Sequence, residues 1–177
     1  MYKADAIYYN LRMVNNRSYV GLVLFTLAYP AAHYLVGYIP NPFVPDANLA
    51  INMIIPILAG YFYGPVSGAF VGLFGTGISA ILAADIYDAL AILPHTLMGI
   101  VAGYAGNLRT QFGAALSIFI GHTFNILFFW RFNFLTIENP FILVLGLVTE
   151  STVDVVAIIL FIVLFHKRLY LDDDRRW

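Results

Sequence analysis

The sequence contains no cysteine, and only 11% of its residues are charged. The first absence excludes disulfides, thiolate zinc sites, iron–sulfur clusters and cysteine nucleophiles. The second value is far below the roughly 25% that is typical of soluble domains. Hydrophobic residues make up 61% of the 177 positions, more than a chain of this size can hide from water. The composition therefore indicates an integral membrane protein that lies in a lipid bilayer.

Several motifs of enzymes and nucleic-acid-binding proteins are missing as well. There is no GxxxxGK[ST] phosphate loop, so the chain cannot hydrolyse ATP by that route, and there is no HExxH zinc helix. The net charge of −1 provides no basic field for nucleic acid. These absences favour a transport protein that needs no cofactor and no metal, rather than an enzyme.

Long uncharged segments separated by polar or proline-rich turns predict six transmembrane helices in a single membrane domain, residues 1–177. Residues 47–84 lack Asp, Glu, Lys and Arg, and as one helix they would measure about 57 Å. They must fold back, and the glycines and proline at 60–65 mark the break. The predicted helices, numbered 1 to 6, cover about 19–38, 48–63, 65–83, 89–105, 112–131 and 141–165.

Lysine and arginine are distributed unequally between the two sides of this arrangement. The tails and the even-numbered loops contain eight of the nine basic residues, and the other side contains only Arg131. The positive-inside rule therefore predicts that both termini are cytoplasmic. The eight residues are Lys3, Arg12, Arg17, Arg109, Lys167, Arg168, Arg175 and Arg176.

Small residues recur at helical spacing in four of the predicted helices. Such residues let helix backbones approach closely in lipid, so we expect packing within the bundle for helices 3, 4 and 5. The pair Ala28 and Ala32 on helix 1 has two interpretations: the same packing, or a docking face for another membrane protein. The other small residues are Gly64, Gly68, Gly72, Gly75, Ser79, Gly99, Gly103, Gly113, Ser117 and Gly121.

Ionisable side chains at membrane depth are candidates for function, because they are costly there. Glu150 and Asp154 lie one turn apart on helix 6, and two carboxylates in a low dielectric require a shared proton or a nearby cation. The alternative is a structural pair that His or Asn from neighbouring helices satisfies. Helix 5 carries His122 and Asn125, with Trp130 at the edge of the same arc.

Counting residues along the two antiparallel helices places His122 and Glu150 at similar depth, each about 12 to 14 Å below the outer ends of helices 5 and 6. We therefore predict a substrate pocket in the outer half of the bundle. The loop at 38–48 should lie outside and cover it, ordered when ligand is bound. The predicted lining residues are His122, Asn125, Trp130 and Glu150, with Asp154 deeper, His95 on helix 4 and Asp88 in the loop before that helix.

Three segments carry a resemblance to the substrate-binding S components of energy-coupling factor (ECF) transporters. They are Ile39-Pro-Asn-Pro-Phe-Val-Pro45, Ile54-Ile-Pro-Ile-Leu-Ala-Gly60 and Gly64-Pro-Val-Ser-Gly-Ala-Phe-Val-Gly72. The resemblance implies a protein of the prokaryotic cell membrane that binds one vitamin or related micronutrient near the outer face. It also implies partners that drive uptake, a membrane T component and two ATPase subunits.

Individual positions resemble the family too. Ala28-Tyr-Pro-Ala-Ala32 is similar to the Ala-x-x-x-Ala face that contacts the T component, with Pro30 as a departure. His122 and Trp130 match the eight-residue spacing of thiamine-binding members, whereas Glu150 stands near a position where the family often has asparagine. The spacing resembles that of thiamine-binding members, and the carboxylates would suit a cationic ligand such as a thiazolium as one possibility for the substrate.

Two other classes of function stay open from the residues alone. One is a small stand-alone carrier coupled to protons or ions, with Glu150 and Asp154 as the coupling site. The other is an intramembrane enzyme or assembly factor, for which the sequence shows no nucleophile or metal set. A stand-alone carrier would take up its substrate without an ATPase partner, whereas an ECF subunit would require one.

Overall fold

The computed structural model describes residues 16–36, 38–44, 47–108, 110–134 and 139–169. It is 86% helical and has no strand in these ranges, so the predicted all-α class is confirmed. Five of the basic residues that oriented the chain lie outside the described residues: Lys3, Arg12, Arg109, Arg175 and Arg176. The helices, numbered α1 to α6, are Asn16–Val36, Ile54–Tyr63, Pro65–Ala83, Ile86–Asn107, Gln111–Arg131 and Pro140–Leu169.

Four of these helices, α3 to α6, are long and apolar enough to cross a membrane. The segments Tyr19–Leu35 in α1 and Ile51–Tyr63, which is α2 with a preceding 3₁₀ turn, are shorter apolar helices. Large apolar side chains cover the surface; Ile81, for example, is 81% exposed. Such a surface suits lipid rather than water, and the chain is therefore a helical membrane protein. The number of six spans stays a prediction.

Backbone conformation explains two of the turns. Gly64 has a φ of +95°, which glycine adopts without strain, and Pro65 follows as the first residue of α3. Asp85 caps α4, because its carboxylate accepts a backbone N–H of the first turn at 2.8 Å. Since α4 begins at Ile86, Asp88 lies in its first turn, and the prediction that placed Asp88 in a loop is wrong.

Glycines let the central helix α4 approach its neighbours. Gly68 of α3 and Gly99 of α4 meet backbone to backbone, and Gly60 of α2 also contacts Gly99. Gly72 lies against the α4 backbone, and Gly121 of α5 lies against an α4 methionine. A Cβ atom at any of these positions would collide with a neighbour, so the predicted packing role of the small residues is confirmed there.

The helix α3 contains a π-helical turn at Val71–Gly75, and this turn separates two packing faces. Gly68, which precedes the π-helical turn, and Gly72, which lies within it, face α4. Gly75, the last residue of the turn, packs against Tyr29 of α1. The helix therefore contacts both α1 and α4. The main core lies on the other side of α4, and its most buried side chains are Ile57, Leu58, Met98, Ile118, Ile158 and Ile162.

The loop between α1 and α2 folds onto α6. Asn41 is buried, and its side-chain oxygen accepts two backbone N–H groups of its own turn at 3.0 and 3.2 Å. Its side-chain nitrogen donates to the carbonyl of Gly146 at 3.3 Å. An antiparallel bridge between Pro40 and Asn48 closes the loop. These contacts hold the loop against α6 one turn before Glu150.

Candidate functional site

Three side chains from α5 and α6 meet in the interior and form what we call the α6 cluster: His122, Glu150 and Asp154. The Nε2 atom of His122 lies 3.4 Å from Oδ2 of Asp154. One ligand atom from each residue can be chosen so that all three lie within 4.8 Å of one another. The structure thus brings together the histidine and the two carboxylates that the sequence analysis singled out.

Helix geometry explains how the cluster forms. Glu150 and Asp154 are four residues apart on α6, which places both side chains on one face. His122 follows Gly121, whose close contact with α4 fixes the rotation of α5. Because α5 and α6 pack against each other, the histidine on one meets the carboxylates on the other.

Two members of the α6 cluster, His122 and Asp154, are deeply buried and incompletely hydrogen-bonded, whereas Glu150 is half-buried. Asp154 has 0% exposure, and neither of its carboxylate oxygens has a hydrogen-bond partner within the described part of the chain. Nε2 of His122 has no hydrogen-bond partner there either, and its 3.4 Å contact with Oδ2 of Asp154 is a long polar contact between the two side chains. A buried carboxylate without donors is costly, so the cluster retains capacity to bind a cation.

Glu150 connects the cluster to the loop that precedes α2. Its Oε1 atom accepts the backbone N–H of Ala50 at 2.8 Å. Together with the Asn41–Gly146 contact, this bond fastens both halves of the loop to α6. The predicted cover over the site therefore lies next to Glu150.

Asn125 and Trp130, both predicted to line the pocket, have different environments. Asn125 is buried one turn along α5 from His122, and its Oδ1 atom has no hydrogen-bond partner among the residues described. Trp130 is 59% exposed, so the structure does not bring it into the buried cluster. It lines a depression at the end of α5 together with Phe124, Leu127, Phe128, Arg131 and Phe132.

His95, the predicted site residue on α4, belongs to a separate polar contact that joins three helices. Its Nδ1 atom lies 2.8 Å from the hydroxyl of Tyr29 and 2.9 Å from the hydroxyl of Thr76. All three side chains are buried. The contact joins α1, α3 and α4, while Nε2 of His95 has no hydrogen-bond partner among the described residues.

Asp88 lies in a second acid–histidine group, the α4 cluster, formed by His33, Ser79 and Asp88. The hydroxyl of Ser79 donates to Oδ2 of Asp88 at 2.5 Å, and Nδ1 of His33 lies 3.4 Å from the same oxygen. Sequence reasoning missed both this cluster and the partners of His95. The available signal was the pair Thr76 and Ser79, polar residues one turn apart that follow the glycines of α3.

The two alanines of α1 lie one turn apart on the helix but differ in exposure. Ala28 is exposed, as a docking residue requires, whereas Ala32 is half-buried. Ala32 packs at the edge of an internal apolar cluster formed by Tyr29, Ile55, Ala59 and Val71. The structure thus shows packing at Ala32 and an exposed side chain at Ala28, and docking at Ala28 stays a prediction.

Comparison with protein-family models, with curated proteins and with solved structures found no match to this chain. The function of the chain is therefore inferred from its own chemistry. Within the described residues, the α6 cluster is the group in which burial, charge and unused hydrogen-bonding capacity coincide.

Proposed function

We propose that the protein is the substrate-binding S component of an ECF-type importer and takes up a positively charged vitamin or related micronutrient. The observation that carries this proposal is the α6 cluster, two carboxylates and a histidine inside a helical membrane protein. The resemblance of the sequence to S components supports the choice of this family. A separate T component and two ATPases would provide the energy, because the chain has no phosphate loop of its own.

In the proposed arrangement all six helices cross a prokaryotic cell membrane, and both termini lie in the cytoplasm. The distribution of basic residues supports this orientation, with eight of nine on one side. The loop between α1 and α2 then lies on the outer side. Its contacts with α6 through Asn41 and Glu150 suit a cover over a ligand that enters from outside.

The charge of the site selects the charge of the ligand. Glu150 and Asp154 are one turn apart at a depth where water does not screen them, so a bound cation relieves their repulsion. An anion would add to it. Asn125, one turn along α5 from His122, offers a neutral oxygen acceptor near the same helix face.

The T component would dock on α1 at Ala28, whose small exposed side chain permits close approach of a second backbone. The test is purification of the tagged chain from its native membrane. We expect ATPase subunits and a larger membrane protein to accompany it. Ala28→Trp should reduce their recovery to background, because the ring prevents close approach. Ile81→Trp, at an exposed apolar position of α3, is the matched control and should retain them.

Purification of the wild-type chain without ATPases would refute the assignment to an ECF importer. Equal recovery with Ala28→Trp and Ile81→Trp would keep the assignment and remove Ala28 from the interface. Either result is read directly from the composition of the purified material.

The second candidate is a stand-alone carrier coupled to protons or ions. It is favoured by the complete burial of Asp154 beside His122, because such a pair can exchange a proton inside the membrane. Purified chain in liposomes would then take up substrate under a proton gradient without ATP. Uptake only in the presence of ATPase partners would exclude it.

A further inference from the structure

We infer that the α6 cluster binds a divalent transition-metal ion through Nε2 of His122 and one carboxylate oxygen each from Glu150 and Asp154. The inference rests on the proposed function in taking this cluster as the ligand site. It deepens that proposal, because it names a metal ion as the charged micronutrient. It does not depend on the identity of the transport machinery.

The distances within the cluster fit a shared ion. A metal bound at about 2.1 Å to each of its ligands holds neighbouring ligand atoms about 3.0 to 3.5 Å apart. The His122 and Asp154 atoms are already 3.4 Å apart, and no ligand atom of the three is more than 4.8 Å from another. These separations suit one small ion that the three side chains share.

The unsatisfied atoms are a second and independent observation. Asp154 is fully buried, and both of its oxygens and Nε2 of His122 lack hydrogen-bond partners in the described chain. Buried polar atoms in folded proteins are almost always paired, so each exception requires an explanation. Here the unpaired atoms belong to the same side chains that converge on one another. A bound ion would satisfy them together.

Charge balance favours a divalent ion over a singly charged one. Two carboxylates and a neutral histidine carry a charge of −2, which a divalent cation cancels. A singly charged organic cation would leave one carboxylate charge uncompensated inside the membrane, where such a charge is costly. A divalent ion makes the site neutral without any bound proton, whereas a singly charged cation does so only if one of the three side chains is also protonated.

The donor types narrow the choice of metal. Imidazole nitrogen suits Fe²⁺, Co²⁺, Ni²⁺, Cu²⁺ and Zn²⁺, and the two carboxylates also suit Mn²⁺, whereas Mg²⁺ and Ca²⁺ prefer oxygen ligands throughout. The chain has no cysteine, so no thiolate selects a soft ion such as Cu⁺. Glu150 also has the outer contact that a metal ligand needs, because the N–H of Ala50 orients its carboxylate.

The test uses the purified full-length chain, freed of metal with a chelator and then dialysed against Zn²⁺, Mn²⁺ or Co²⁺. Elemental analysis should give one ion per chain, and bound Co²⁺ should show the visible absorption of nitrogen and oxygen ligands. His122→Gln and Asp154→Asn should each weaken binding at least tenfold. His33→Gln is the matched control, since His33 also lies 3.4 Å from an aspartate oxygen, and it should bind like wild type.

Thermal unfolding of each variant shows whether it is folded. If His122→Gln or Asp154→Asn does not fold, Glu150→Gln is tested in its place. Equal binding by the wild type and Asp154→Asn would overturn the inference, and so would an equal loss in His33→Gln. A wild-type chain that binds no metal yet co-purifies with ATPases would refute the metal and retain the importer. Stoichiometric metal binding by a chain that purifies without ATPases would retain the metal site and refute the importer.

Discussion

The bundle contains two acid–histidine pairs with the same separation and different surroundings. His122 and Asp154 are 3.4 Å apart, with side chains 7% and 0% exposed. His33 and Asp88 are also 3.4 Å apart, with side chains 25% and 12% exposed. The pair nearer the surface has a hydroxyl donor from Ser79. The deeper pair has instead a second carboxylate, Glu150, as its neighbour.

The comparison shows that distance alone does not identify a binding site. In the α4 cluster the aspartate already has its donor, so the pair contributes to helix packing. In the α6 cluster both carboxylate oxygens of Asp154 and Nε2 of His122 lack hydrogen-bond partners among the described residues, although these side chains are more deeply buried. Retaining such groups is costly in stability, and this cost is typical of residues kept for a ligand.

The largest expected effect is an opposite response of the two aspartates in the metal-free protein. Asp154→Asn should raise the free energy of unfolding by about 1 to 3 kcal/mol, because it replaces a buried carboxyl group that lacks a hydrogen-bond donor with an amide that can donate to His122. Asp88→Asn should lower it by about 1 kcal/mol, because the bond from Ser79 loses its charge. Unfolding titrations in detergent measure both. A change of the same sign in both variants would contradict the distinction between the clusters.

The next effect concerns the donor that makes the α4 cluster complete. Ser79→Ala removes the hydrogen bond to Asp88 and should cost about 2 kcal/mol of unfolding free energy, the range for bonds to charged groups. Ser117→Ala is the matched control, because Ser117 is equally buried but donates to the backbone carbonyl of Ala114 at 2.6 Å. It should cost about 1 kcal/mol or less. Equal costs would mean that Asp88 gains nothing from Ser79.

A smaller effect is expected at the second carboxylate of the α6 cluster. Glu150→Gln keeps an oxygen that can accept from Ala50 but removes the charge, so cation binding should weaken about tenfold, or about 1.4 kcal/mol. Titrations of the purified variant with Zn²⁺ and with thiamine measure this. Thr149→Val, beside it on α6, should bind normally, since its hydroxyl donates only to a carbonyl of its own helix. Unchanged affinity in Glu150→Gln would make Glu150 a support of the loop alone.

The smallest effect is expected at Trp130. Its exposure places it outside the α6 cluster, so Trp130→Ala should change cation affinity by less than about twofold. A cation stacked on the ring in a desolvated site would instead lose about 2 kcal/mol. The same titrations distinguish these outcomes, and a loss of tenfold or more would return Trp130 to the site.

The sequence was sufficient for features that depend on position along a helix. The approximate helix ranges followed from charge-free segments, and the meeting of His122 and Glu150 followed from equal depths on two antiparallel helices. Features that depend on rotation about the helix axis could not be predicted. Trp130 lies only about 80° from His122 in projection, yet packing of Gly121 against α4 turns the tryptophan outward.

Local backbone geometry caused the remaining differences. Because Asp85 caps α4, the helix begins before Asp88. Asp88 is therefore a buried helical residue and not the loop residue that the sequence predicted. The π-helical turn in α3 changes the direction of the residues that follow it, among them Thr76 and Ser79. No simple spacing rule predicts such a turn, so the contacts of Thr76 with His95 and of Ser79 with Asp88 could not be predicted from the sequence.

The contact between Ala50 and Glu150 has a consequence for how this site varies in evolution. Its donor is a peptide N–H, which nineteen of the twenty amino acids provide equally. Position 50 can therefore drift in side-chain identity while the geometry around Glu150 stays constant, and an alignment would record no constraint there. Proline is the single exception, because it has no N–H to give. Among homologues, the contact would therefore be visible only as the absence of proline at position 50, and not as the conservation of any one residue.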